Sequence, residues 1–132
     1  MRQYLYTSAA SEGFQQLDMV NLLEASSRNN GRNGITGFLV FDGQKFLQLV
    51  EGEQENLDAL MERLARDPRH CNIRRLDDRA TDRRYCPNWT MKRIVLSGND
   101  AAERLGKVLP ANLPLTMQRK IRSFIEQSAA LA

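Results

Sequence analysis

The order of apolar periods predicts an α+β fold, a ferredoxin-like βαββαββ sheet with two helices on one face and further C-terminal helices covering the other. Three observations carry that prediction. Segments of period two and of helical period follow one another as strand, helix, strand, strand, helix, strand, strand over residues 1–96. The central strands, Ile35 to Phe41 and Lys45 to Glu51, are joined by Asp42-Gly43, a dipeptide suited to a tight hairpin. Both internal helices fall between strands, which places them together on one side of an antiparallel-type sheet.

Each element has its own warrant. Gln3 to Ser8 alternates, with Tyr4, Tyr6 and Ser8 on one face and Leu5 and Thr7 on the other. From about Phe14 to Asn29 the period is helical, with Leu17, Val20 and Leu23 on one line and Met19 and Leu22 beside them. Asn29-Asn30-Gly31 is expected to end that helix, because Asn and Gly tolerate a left-handed C-cap. In the second hairpin strand Phe46, Gln48 and Val50 share a face opposite Leu47 and Leu49. Glu53 to Arg66 places Leu57, Leu60, Met61 and Leu64 on one helical stripe and stops at Asp67-Pro68, since a residue before proline disfavours the α region. Ile73 to about Ala80 reads as an edge strand, and Asp82 to Asn88 as a charged turn closed by Pro87. Trp89 to Leu96 is the fifth strand, with Trp89, Met91, Arg93 and Val95 expected on one face. After 97–100 come a short helix (about Ala101 to Val108), a Pro110/Pro114 linker and an amphipathic helix from Thr116 striped by Met117, Ile121, Phe124 and Ile125.

Composition narrows the class. A hydrophobic share of 42% argues against disorder, and a net charge of +3 is too small by itself to imply nucleic acid. No apolar run approaches the roughly 18–20 residues that span a membrane, and MRQYLYTSAA has too short an apolar core for a secretory signal. Cys71 and Cys86 form no CxxC, so a reduced, cytoplasmic protein is expected.

Polar residues out of place in a plain core mark the candidate site. A buried amide left unpaired costs about 1–3 kcal/mol, so something must meet Gln48. First and third strands are central neighbours in a ferredoxin-like sheet, which lets Tyr6 and Gln48 point into one space beneath the helices. Asn29 and Asn30 close the first helix, and Arg63, Asp67, Arg69 and His70 gather at the end of the second. A cleft floored by Tyr and Gln and rimmed by amides and Arg suits a flat heteroaromatic ligand with an anionic tail. On these residues alone a core tyrosine with a locally satisfied glutamine is the more frequent arrangement. His70-Cys71 lacks a third ligand at metal spacing, so no metal site is expected. Gly31-Arg32-Asn33-Gly34 lacks the Lys and the setting of a phosphate loop. Arg74, Arg75, Arg79, Arg83 and Arg84 are interleaved with Asp77, Asp78 and Asp82, a pattern more often found on a solvated face.

At these residues the chain resembles the BLUF family, blue-light sensors using FAD. The matching pieces are LYTS with Tyr6, RNNGRNGITG with Asn30, FLQLVEG with Gln48, ARDPRH with Arg69 and His70, and PNWTM with Trp89 and Met91. The resemblance covers about residues 1–96 and implies a photosensor domain there, with 97–132 as a helical extension. It implies FAD held noncovalently between the two helices, with FMN or riboflavin possible in the same site. By position Leu22 and Leu64 would pack on the ring, and Asn30 would bond its polar edge. Asn29, Arg63, Asp67, Arg69 and His70 would support the ring or the ribityl-phosphate side. Gln48 would lie between Tyr6 and the flavin. The implied mechanism is loss of an electron and a proton from Tyr6 under blue light, then recombination that leaves Gln48 rotated or tautomerised. Trp89 and Met91 would relay the change to the C-terminal helices, and then to a partner protein or the chain's own oligomer. No substrate would be turned over. Many members carry an output domain after the sensor, so this sequence resembles a short, stand-alone form.

Two other classes stay open on the residues alone. One is a small ferredoxin-like enzyme using Arg69 and His70 in acyl or phosphoryl chemistry. The other is a ligandless interaction module that uses its Arg-rich edge or last helix.

Overall fold

The computed structural model of the chain describes residues 1–95 and 101–131. Its elements are β1 (Arg2–Ala10), α1 (Gln16–Arg32), β2 (Thr36–Phe41), β3 (Lys45–Gly52), α2 (Gln54–Arg66), β4 (His70–Ala80), β5 (Lys92–Val95), α3 (Ala101–Val108) and α4 (Leu115–Leu131). They form a single sheet in the order β4-β1-β3-β2-β5. The first four strands pair antiparallel as a ferredoxin-like motif requires. β5 runs parallel to β2 and makes the sheet mixed.

Strand alternation separates two cores. Tyr4, Tyr6, Phe46, Val50 and Leu39 face Met19 and Leu22 of α1 and Leu57, Leu60 and Leu64 of α2. Leu5, Phe38, Val40, Leu47 and Leu49 face Leu105 of α3 and Met117, Ile121, Phe124 and Ile125 of α4. The expected stripe of the last helix is thus the cover of the second face. Polar contacts fasten α4 at both ends. Lys120 Nζ donates to the Leu76 carbonyl at 2.5 Å, and Ser128 Oγ donates to Asp42 at 2.6 Å. The hairpin closes as its sequence predicts, with Gly43 at φ 101° and Asp42 accepting from the Gln44 and Lys45 amides at 2.8 and 2.6 Å.

Four expectations need correction. α1 does not stop at Asn29-Asn30-Gly31 but continues to Arg32, capped at Asn33, and the left-handed residue is Gly34 at φ 64°. The two asparagines therefore lie in the last helical turn. Leu17 and Val20 are exposed, at 68% and 40%, because the buried line of α1 runs through Met19 and Leu22 instead. The edge strand begins at His70, not Ile73, since pairing with Ala10 extends the ladder. Finally, β5 starts at Lys92, so strict alternation does not reach back to Trp89 and Met91. Trp89 packs on the Phe38 side and Met91 on the Gln48 side. Leu96 and the 97–100 connection, including the expected boundary between sensor and extension, lie outside the described residues.

Candidate functional site

Tyr6 and Gln48 are direct cross-strand partners in the β1/β3 ladder, so their side chains leave the same face of the sheet side by side. The Tyr6 hydroxyl donates to Gln48 Oε1. Burial drives the Tyr6 phenol well above its ordinary pKa, because a phenolate there would lose its hydration. Tyr6 is therefore a neutral donor throughout the physiological range. Gln48 Nε2 in turn donates to Met91 Sδ at 3.4 Å. The amide thus holds an acceptor contact on one side and a weak donor contact on the other. Sulfur is a poor acceptor, so this second contact is easily exchanged for a better one.

The helix ends contribute the rim. Asn30, fully buried, donates through Nδ2 to the Thr90 carbonyl at 2.9 Å, while its Oδ1 is buried without a partner. Ser27 Oγ and Thr90 Oγ1 share a further bond of 2.9 Å, so α1 grips the 89–91 segment twice. Asn29 is half-buried, and its backbone carbonyl accepts the Asn33 amide. Leu22 and Leu64 are buried on the helix-side core, one from each helix.

At the other end, the Arg69 guanidinium embraces Asp67 through Nε and Nη2 at 2.9 and 2.6 Å, and the Arg69 amide bonds the same carboxylate. Those bonds hold the Asp67 carboxyl below the ordinary carboxylate range. His70 is buried with Nδ1 bonded to Ser8 Oγ at 3.1 Å, and its Nε2 has no partner. Burial lowers its pKa, and the Asp67 charge offsets this in part. Arg63 is exposed, and among the described residues it forms no ion pair with this cluster. The Asp67–Arg69 pairing disfavours the enzyme reading, which needs Arg69 free to clamp a substrate. Two of the five arginines of the Arg-rich edge are paired with carboxylates, Arg75 with Asp78 and Arg79 with Asp77. Among the described residues no group of three or more metal-ligating side chains is present.

Buried polar atoms without partners are uncommon in native proteins. Asn30 Oδ1 and His70 Nε2 both border the core that contains Tyr6 and Met91, the partners of Gln48: Asn30 through Thr90, next to Met91, and His70 through its edge-on contact with the Phe46 ring, 6.2 Å between centroids. Orphaned acceptors and donors at this border fit a guest that carries N–H and carbonyl groups on an aromatic frame, as a flavin does.

The family profile for BLUF, sensors of blue-light using FAD, matches residues 1–92. The chain belongs to the BLUF family. Among curated relatives, the blue light- and temperature-regulated antirepressor BluF of Escherichia coli (strain K12) is 37% identical over 65 residues, 48% of this chain and 16% of that protein. The dark-state structure of BlrB, a BLUF protein, matches with a TM-score of 0.76 and 27% identity, covering 98% of this chain and 96% of its own. Klebsiella pneumoniae BlrP1, solved with FMN and cyclic diGMP, matches at a TM-score of 0.80 and 29% identity, over 95% of this chain and 34% of its own. This BLUF chain thus covers well under two thirds of the curated relative. No helix among the described residues is long and apolar enough to cross a membrane.

Sequence reasoning missed several members of the site region. Ser8 holds His70, and Thr90 holds Asn30. Glu51, with no exposed surface, accepts from Thr36 and from two loop amides. A signal for Glu51 was available: it continues the Leu47/Leu49 line, where a charge should not be left unmet.

Proposed function

We propose that this BLUF chain binds FAD noncovalently between α1 and α2 and reports blue light through the amide of Gln48. FMN or riboflavin would fit the same ring site. When bound, the flavin supplies blue-light absorption and a strong electron acceptor in its excited state. Leu22 and Leu64 offer apolar surfaces from the two helices, and Asn30 Oδ1 offers an acceptor to a ring N–H. His70 supplies its second ring nitrogen, and Asn29 and the Asp67–Arg69 pair shape the adjoining rim. Arg63, exposed and unpaired among the described residues, is available to an anionic tail.

The observation that carries this reading is the Tyr6–Gln48–Met91 line of contacts. Tyr6 holds a proton toward Gln48 Oε1, so electron loss from the phenol is matched by proton release along an existing hydrogen bond. Gln48 has donors and an acceptor on one planar group, so it can be satisfied in two orientations. Its present partner on the donor side, Met91 Sδ, is weak enough to be given up. Movement of Met91 and Trp89 then reaches the second core, because Trp89 packs on Phe38 there. We assign residues 1–96 to the sensor and 97–132 to an extension through which a partner protein, or a second copy of the chain, reads the signal.

The test is an absorption spectrum of the purified chain before and after blue light. A yellow protein whose flavin bands move to longer wavelength and recover in darkness is expected. A colourless protein that takes up no added flavin would overturn the assignment.

A further inference from the structure

The Glu51 carboxylate lies inside the fold with no exposed surface, at the junction of three strands and one loop. Its cross-strand partners are Gln3 on β1 and Thr36 on β2. Both reach it: Thr36 Oγ1 donates to Oε1 at 2.9 Å, and Gln3 Nε2 approaches Oε2 at 3.4 Å. The remaining lone pairs are taken by successive backbone amides of the loop before β5. Tyr85 N–H donates to Oε2 at 2.8 Å and Cys86 N–H to Oε1 at 2.6 Å. Arg84 seals the outside, with its guanidinium on Thr36 Oγ1 at 3.0 Å, the Glu51 carbonyl at 3.2 Å and the Gly34 carbonyl at 2.5 Å. A buried carboxylate is tolerated only where donors replace its lost water, and here the loop backbone is among those donors. Burial, reinforced by the Glu51 charge, pushes the neighbouring Cys86 thiol up to about 12, so the thiol stays protonated beside it.

The same loop leads without interruption to the residues around Gln48. The Trp89 amide donates to the Cys86 carbonyl at 3.2 Å, and the Trp89 carbonyl accepts from Gly37 at 2.8 Å. One residue on, the Thr90 carbonyl meets Asn30, and the next side chain, Met91, meets Gln48. The turn that starts at Cys86 therefore fixes which of Trp89 and Met91 lies on the Gln48 side. A shift of two residues along that path would bring Trp89 to the position that Met91 holds against Gln48. The anchor at the start of that turn is the Glu51 carboxylate.

We propose that Glu51 is a positioning residue for the light signal: by holding the Tyr85–Cys86 backbone it keeps Met91 against Gln48 and Trp89 against Phe38. This rests on the photoreceptor reading above. It assigns Glu51 control over how readily the 89–91 segment rearranges when the Gln48 contacts change, although Glu51 itself lies on the opposite face of the sheet from Gln48.

The test uses the full chain as purified, with E51Q as the isosteric change. An amide keeps one acceptor but turns N–H groups toward one of the two loop amides, so the anchor is halved without changing volume. Trp89 is the single tryptophan, which makes its emission a direct report on the segment. Expected are a folded, flavin-bound E51Q protein, altered Trp89 emission, and a dark-recovery rate changed by about tenfold, the size expected when one buried donor is left unmet. The milder variant T36V, which removes one donor and one Arg84 contact, should move both readouts the same way by less. A thermal midpoint lowered in E51Q with Trp89 emission and dark recovery unchanged would reduce Glu51 to a structural role and overturn the proposal. If E51Q does not fold, T36V decides: wild-type emission and recovery in T36V overturn the proposal equally. If the wild-type chain shows no flavin or no light response, the photoreceptor reading fails instead. The Trp89 emission comparison between wild type and variants still decides whether Glu51 positions the segment.

Discussion

Replacing Gln48 by leucine removes the acceptor of a hydroxyl whose side chain is 1% exposed. The Tyr6 O–H then has no water to turn to, and the cost is about 1–3 kcal/mol. Replacing Tyr6 by phenylalanine instead strands Gln48 Oε1, while Nε2 keeps Met91, so this loss should lie near the lower end, about 1 kcal/mol. In the double variant Tyr6→Phe/Gln48→Leu no polar group is left unmet, and its destabilisation should fall short of the sum of the singles by about 1–2 kcal/mol. Urea denaturation in darkness, followed by circular dichroism on all four proteins, measures this coupling. Flavin absorption under blue light is recorded on the same samples, and both single variants should bind flavin without the wild-type red shift. Additive losses, within about 0.5 kcal/mol, would refute the buried Tyr6–Gln48 bond. A Gln48→Leu protein with a normal light response would refute the role given to the amide.

Two further outcomes follow from other parts of the fold. A Cβ added at Gly37 would lie 1.9 Å from the Leu49 carbonyl oxygen, so Gly37→Ala must force β2 from β3; a loss of at least about 3 kcal/mol is expected in the same denaturation assay, with altered Trp89 emission because Gly37 bonds the Trp89 carbonyl. His70 has its pKa lowered by burial below the ordinary 6.5, so the unfolded chain binds its proton first as pH falls. Stability attributable to His70 is then fully present above pH 6.5 and declines as pH drops from there toward the folded value. Denaturation midpoints at pH 7.5 and pH 5.5 should differ in the wild type and differ less in His70→Gln.

Much of the site was legible because strands write their faces directly into sequence. Alternation alone put Tyr6 and Gln48 toward the two internal helices and Leu47 and Leu49 away from them, as the two cores show. The apolar stripe of the last helix fitted either a cover for the second face or a dimer surface, and the fold uses it as cover. Helix ends were less legible. Asn29 and Asn30 looked like a cap because Asn tolerates a left-handed turn, yet the chain spends that conformation on Gly34, and Asn30 is held inside by Thr90. Leu17 and Val20 looked like core because hydrophobicity does not reveal which side of a broad stripe meets the sheet.

The sequence by itself determined the order of elements, the central hairpin, the face on which Tyr6 and Gln48 stand, and membership of a flavin-using light-sensor family. Those properties depend on local period and on motifs close in sequence. Only the tertiary structure decided that Met91 and not Trp89 meets Gln48, that His70 rests on Ser8, and that Glu51 holds the loop before β5. Each of these joins residues from 35 to 62 positions apart. The 81–91 segment has no periodic pattern of its own, and its path is set by which buried donors and acceptors it satisfies.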